Sequence, residues 1–252
     1  MLFRSSRERD HSVAPSMRRT YAITNRVEVF DCSCCPPNLN RIFARLGDFF
    51  FSENEDTLII NQFGSLELHT GKVDLSIQTA YPCNGEITLN FKNNCYKKVY
   101  IRKPYWCDDY TASLACQEAM GYLVFDGVCS DFSVEINFNM QPYFIEANPN
   151  VRGNTGRVAL CYGPTVYCLE RIDNPFELNS LSVSLSAVCK AIKNESYLLP
   201  DFLVEGYASK NFEGLYRKVK NETEKIQLRF KPYYTFANRE ACDMLVWIHK
   251  HN

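Results

Sequence analysis

From residue 58 to residue 248 the chain is dominated by short runs with a hydrophobic period of two, broken by turn residues. A strand sends successive side chains to opposite faces, so such a run buries one face and wets the other. Leu58-Ile59-Ile60, Leu66-Glu67-Leu68, Val73–Ile77, Ile87–Phe91, Val99-Tyr100-Ile101 and Val134–Phe138 form a first series. Val158–Tyr162, Val166–Leu169, Leu181–Leu185, Ile226-Gln227-Leu228 and Met244–Ile248 form a second. Gly71 and the Asn84-Gly85 pair are turn signals between them. Many short strands at this spacing predict a mainly β chain of antiparallel β-sandwich or jelly-roll domains. The break at Asn148-Pro149-Asn150 predicts a first β-sandwich over 51–148 and a second over 149–252.

Ahead of the strands the period changes. Leu39, Ile42, Phe43 and Leu46 fall at i, i+3, i+4 and i+7, which predicts an amphipathic helix over 36–50. Pro36 suits the first helical position because its missing N–H costs nothing there. That places Cys35 at or near the N-cap, and Gly47 reads as a stop. Residues 1–31 are polar and irregular, so 1–50 stands apart from the β part.

Charge excludes some partners. The 28 Lys and Arg balance 29 Asp and Glu, which argues against nucleic acid or an anionic membrane as the main partner. No stretch reaches the roughly 18 apolar residues of a membrane span. The first 20 residues lack the apolar run of a secretion signal, and the sequons at Asn194 and Asn221 carry little weight without one. Of the twelve cysteines, nine are scattered and none of these sits in a C-x-x-C pair. Several fall in strand-like runs, where a free thiol is a small buried hydrophobe. A reducing cytoplasmic location fits that usage.

The other three cysteines are packed in Cys32-Ser33-Cys34-Cys35-Pro36-Pro37-Asn38. A thiol at a helix N-terminus meets unpaired N–H groups and the positive end of the helix dipole, which favour the thiolate. Such a thiolate can ligate zinc, attack carbon, or do both in turn. The alternative is a buried pair of cysteines with no chemistry. His11, His69, His249 and His251 offer no obvious partner, and the last two read as a solvated or fraying end. Glu28 and Asp31 lie close upstream, where loop acids are usually just solvated.

Cys34-Cys35-Pro36-Pro37-Asn38, with Arg41 and Leu46-Gly47, resembles the signature of glycoside hydrolase family 127, the β-L-arabinofuranosidase family. Val99–Trp106 resembles that family's "LRIPxW" strand. Gly156–Glu170 is similar to its "GRVAL-x-x-GP-x-VY-x-x-E" run. Pro232–Arg239, with Met244 and Val246-Trp247, resembles its C-terminal block. The resemblance implies an (α/α)6 barrel followed by β-sandwich domains, with the helix after Cys35 belonging to the barrel. It implies a retaining glycosidase with a cysteine nucleophile, here Cys34. It also implies zinc, held by three cysteines and a glutamate, with Cys34 and Cys35 among the ligands. Cys32 is not assigned to the metal.

The family's acid/base glutamate and its other zinc ligands lie well upstream of the motif, whereas 33 residues precede Cys34 here. Glu28 does not sit where the family's ligand sits. The expectation is a chain related to enzymes that act on arabinofuranoside-containing carbohydrate, inactive alone, with a possible homodimer through a β-sandwich. The competing expectation is a non-catalytic module for dimerisation or carbohydrate contact. A purely structural zinc site is a third.

Overall fold

A computed structural model describes residues 35–220 and 222–251, with Cys35 placed by its backbone. The chain divides into two compact units, one within Asp31–Gln141 and one that includes Pro142–Asn252. The division comes at 141/142, ahead of the expected 148/149. Residues 142–146 pair with 158–162 and so belong to the second unit.

The first unit opens on α1 (Cys35–Ala44) and the short α2 (Gly47–Phe50). Gly47 therefore begins a second helix instead of stopping the first. Ten strands come after: β1 (Phe51–Glu53), β2 (Thr57–Ile60), β3 (Leu66–His69), β4 (Asp74–Thr79), β5 (Glu86–Lys92), β6 (Lys98–Arg102), β7 (Tyr110–Ala112), β8 (Gln117–Ala119), β9 (Tyr122–Asp126) and β10 (Phe132–Phe138). They make two five-stranded sheets, ordered β1-β2-β6-β9-β8 and β3-β4-β5-β10-β7. Ile87, Leu89 and Phe91 of β5 and Val134, Ile136 and Phe138 of β10 point inward. They share one core with Leu58, Ile60, Val99, Ile101, Leu123 and Phe125 from the other sheet. Full burial of each such side chain stabilises by about 1.5–3 kcal/mol relative to exposure. This is a β-sandwich, as the alternation predicts. One pairing departs from the antiparallel rule: β2 and β6 run parallel, Thr57 beside Lys98 through Ile60 beside Ile101. The chain leaves after β2, builds β3, β4 and β5 in the facing sheet, and returns as β6 in its original direction. A parallel neighbour always needs such a long crossover.

The second unit contains β11 (Pro142–Glu146), β12 (Arg157–Tyr162), β13 (Thr165–Glu170), β14 (Leu181–Val183), β15 (Cys189–Ile192), β16 (Asp201–Ser209), β17 (Thr223–Pro232), β18 (Met244–Leu245) and β19 (Ile248–Lys250). These form one nine-stranded sheet in the region expected as the second β-sandwich, 149–252. Its path runs β11-β12-β19-β14-β16-β17-β13-β18, and β15 pairs with β16. β11 lies along one edge of β12, while β13 and β19 share the other edge at its opposite ends. The β14–β19 pair is parallel and the rest are antiparallel. The β12–β13 turn places Gly163 at φ 52° in the first of its two central positions, a conformation that primed hairpin turns reserve for glycine. At Gly206, in β16, a Cβ would lie 2.3 Å from Leu228 Cδ1 and 2.9 Å from the Ser182 carbonyl oxygen, so only glycine lets the three strands close up.

Candidate functional site

Cys34, the expected nucleophile and zinc ligand, lies outside the described residues, as do Cys32, Glu28, Asp31 and His11. Cys35, the second expected ligand, is the first residue of α1, one position further into the helix than expected. The first turn of a helix normally presents unpaired N–H groups. Pro36 and Pro37 occupy this one and carry none, so the turn offers an anion fewer donors than an ordinary helix start. No acidic residue sits in that turn to compete with a thiolate. Arg41 Nη1 donates to Asn38 Oδ1 at 3.1 Å, which orients the arginine along the helix. The stripe of Leu39, Ile42, Phe43 and Leu46 is solvent-exposed at 39, 50, 67 and 42%.

Among the described residues no three His, Cys, Asp or Glu side chains gather as a metal site. Two adjacent cysteines match zinc in donor chemistry. The histidines are engaged elsewhere. His69 Nδ1 lies 2.8 Å from Asp74 Oδ1 and Nε2 lies 3.5 Å from Glu67, at the surface. The Asp74 hydrogen bond, then that of Glu67, raises its pKa. His249 sits in β19 opposite Arg157, and His251 stacks on Tyr207 at 3.5 Å. The H-x-H pair is therefore packed in and against the sheet of the second unit and is not a fraying end. Burial, then Arg157, lowers the His249 pKa.

The expected family motifs serve the fold. Trp106, from the "LRIPxW" stretch, packs edge-on to Phe138 at 6.3 Å and stacks with Tyr81 at 6.4 Å, as part of the sandwich core. Glu170, which ends the "GRVAL" run, is 1% exposed. It accepts from the Ala237 N–H at 2.8 Å and from Arg239 Nη2, which closes the C-terminal block. Arg239 also pairs with Asp173. Two motifs nearly 70 residues apart in sequence are thus joined by one ion pair.

A second charged cluster in the second unit gave no signal in the sequence. Asp201 is fully buried, and its carboxylate accepts from Arg229 Nη2 at 2.7 Å, Lys231 Nζ at 3.4 Å, Asn194 Nδ2 at 3.2 Å and the Tyr197 hydroxyl. Asn174, 1% exposed, links the two clusters. Its Nδ2 donates to the carbonyls of Glu170 and Arg229, and its Oδ1 accepts the Arg229 N–H. The three acids and three bases of the two clusters balance. Asp201 and Glu170 are each satisfied by several donors. That arrangement suits them to fixing strand ends, not to exchanging protons with a substrate.

Comparison with known proteins agrees with the motif order. Residues 142–249 match the model of the glycoside hydrolase family 127 C-terminal domain. The chain is 27% identical to a non-reducing end β-L-arabinofuranosidase of Bifidobacterium longum subsp. longum, over 91% of this chain and 39% of that protein. The crystal structure of a GH127 β-L-arabinofuranosidase from Geobacillus stearothermophilus superimposes with a TM-score of 0.78 at 28% identity, covering 95% of this chain and 41% of that one. A second GH127 β-arabinofuranosidase gives 0.77 at 28% identity, over 92% and 40%. The chain spans about two fifths of the length of these relatives. Over residues 142–249 the chain matches the C-terminal domain of glycoside hydrolase family 127, and over most of its length it is similar in fold and sequence to these enzymes.

Proposed function

We propose that this chain is the C-terminal portion of a retaining glycoside hydrolase that releases β-L-arabinofuranosyl units from carbohydrate. The observation that carries the reading is the likeness, in fold and sequence together, to arabinofuranosidases over nearly the whole chain. In this reading Cys34 is the nucleophile, displacing the leaving sugar oxygen from the anomeric carbon, and water later releases the bound arabinose with retention. Cys34 and Cys35 are two ligands of a zinc ion. When bound, zinc would keep their thiols deprotonated. The start of α1 at Cys35 supports the reading, since it puts the backbone of this cysteine in the first turn of a helix. In this reading these 252 residues supply neither the general acid nor the remaining zinc ligands. Without an acid the leaving oxygen departs unprotonated, and with two ligands zinc is held weakly.

Zinc content measured by mass spectrometry, alongside hydrolysis of an aryl β-L-arabinofuranoside, tests this. The purified chain is expected to hold well under one zinc and to show no turnover. One zinc per chain with turnover would refute the division of the site. A second reading, a non-catalytic module for self-association or carbohydrate contact, is favoured by the exposed apolar stripe on α1.

A further inference from the structure

We propose that Cys95 and Cys129 form a reversible disulfide that clamps one end of the first unit's sandwich. Among the nine cysteines whose side chains are described, these two alone are exposed; the others are buried or half-buried. Both sit on connections that pass between the two sheets. Cys95 is on the β5–β6 connection and Cys129 is on the β9–β10 connection. The connections are already tied on both sides of the pair. Lys97 carbonyl accepts the N–H groups of Gly127 at 2.9 Å and Val128 at 3.4 Å. Asn94 Nδ2 donates to the Val128 carbonyl at 2.5 Å, and the Asn93 N–H donates to Asp131 Oδ1 at 2.7 Å. Between these ties Cys129 Sγ lies 3.5 Å from the carbonyl oxygen of Cys95 itself. Cys95 Sγ is turned toward the Asn93 carbonyl at 3.6 Å. Rotation about its χ1, a fast motion for an exposed side chain, swings it toward Cys129. A bridge needs Cβ atoms about 3.5–4.5 Å apart, and the ties on either side hold the two connections together for it.

The oxidant is a small disulfide such as oxidised glutathione. The thiolate of one cysteine attacks its S–S bond, forming a mixed disulfide and releasing one glutathione thiol. The thiolate of the second cysteine then attacks the protein sulfur of that mixed disulfide. This forms the Cys95–Cys129 bond and releases the second glutathione. The pair loses two electrons and two protons, and the two glutathione thiols carry them away. The bridge closes a loop of about 35 residues, which corresponds to a rise in Tm on the order of 10 °C.

The test is to incubate the folded full chain with oxidised glutathione, then map peptides by mass spectrometry and record thermal unfolding. A Cys95–Cys129 peptide, a raised Tm, and reversal of both by dithiothreitol are expected. Cys95→Ser and Cys129→Ser should melt like the reduced wild type and show no shift on oxidation. Separate glutathione adducts on the two cysteines, a link between two chains, either cysteine bridged to a different thiol, or a bridge without a rise in Tm would each overturn the proposal.

Discussion

Replacing Asp201 by alanine removes the carboxylate that pairs with Lys231 in the second unit. Lys231 has only 5% of its side chain exposed, and its ammonium also lies over the Tyr197 ring at 5.0 Å. That ammonium would remain buried without a counter-charge, and the Tyr197 hydroxyl and Asn194 amide would lose an acceptor. Breaking one side of a buried pair costs about 3–5 kcal/mol. Arg229 softens the loss, because its side chain is 37% exposed and can rehydrate. The expected loss is therefore about 3 kcal/mol, or a fall in Tm of roughly 10 °C for a unit of this size. Adding Lys231→Met removes the stranded charge, so Asp201→Ala/Lys231→Met should recover a large part of the loss.

The cost also has a pH signature. Burial alone pushes the Asp201 carboxyl up, but Tyr197, Arg229, Lys231 and Asn194 outweigh it and hold the pKa below its ordinary value. A depressed folded pKa contributes stability that is full above the unfolded value and is lost as pH falls through the folded one. The gap between wild type and Asp201→Ala should therefore be constant from about pH 8 to pH 5 and narrow below about pH 4. Thermal unfolding followed by near-ultraviolet circular dichroism across that range reads both effects. A loss under about 1 kcal/mol, or no recovery in the double variant, would refute the reasoning.

Further outcomes concern the first unit. Gly85→Ala places a Cβ 1.8 Å from the Phe138 carbonyl oxygen, so β10 must shift; a loss of about 3 kcal/mol or more is expected in urea titration. The His69 ring should titrate above its ordinary 6.5 by NMR, and Asp74→Asn should bring it back down. Because the folded pKa is raised, the His69 contribution is present below the unfolded value and fades as pH rises through the folded one. Phe43→Glu should reduce any self-association seen in sedimentation velocity, since Phe43 is the most exposed member of the α1 stripe.

What could be read from the sequence depended on how strictly a segment kept its period. β5 and β10 alternate without interruption, so both their existence and their inward faces were legible. β16 was not, although it is nine residues long and central to its sheet. Glu205 and Gly206 interrupt its apolar pattern, and Gly206 is there because neighbouring strands come too close for a side chain. The run 244–248 read as one strand, yet β18 pairs with β13 and β19 with β12 and β14. Local periodicity carries no information on such a change of partner. At the site the position of Cys35 at a helix start was legible from Pro36 and the apolar stripe. The Glu170–Arg239 pair was visible only as two motif ends, because nothing local marks two charged residues as partners across 69 positions. The exposure of Cys95 and Cys129 likewise depends on connections whose course the strand pattern leaves open.

The strand order of the second unit has a consequence for how the chain is made. β12 begins at residue 157, but its neighbour β19 ends at residue 250, and β14 waits for the same partner. During synthesis at about 5–20 residues per second, the Arg157–Val158 end of β12 and one edge of β14 stay unpaired until residues 248–250 have left the ribosome. The sandwich of the first unit has all its strands once residue 138 has emerged and can form first. The sheet of the second unit is completed afterwards by β19, and during that interval its open strand edges need shielding by chaperones.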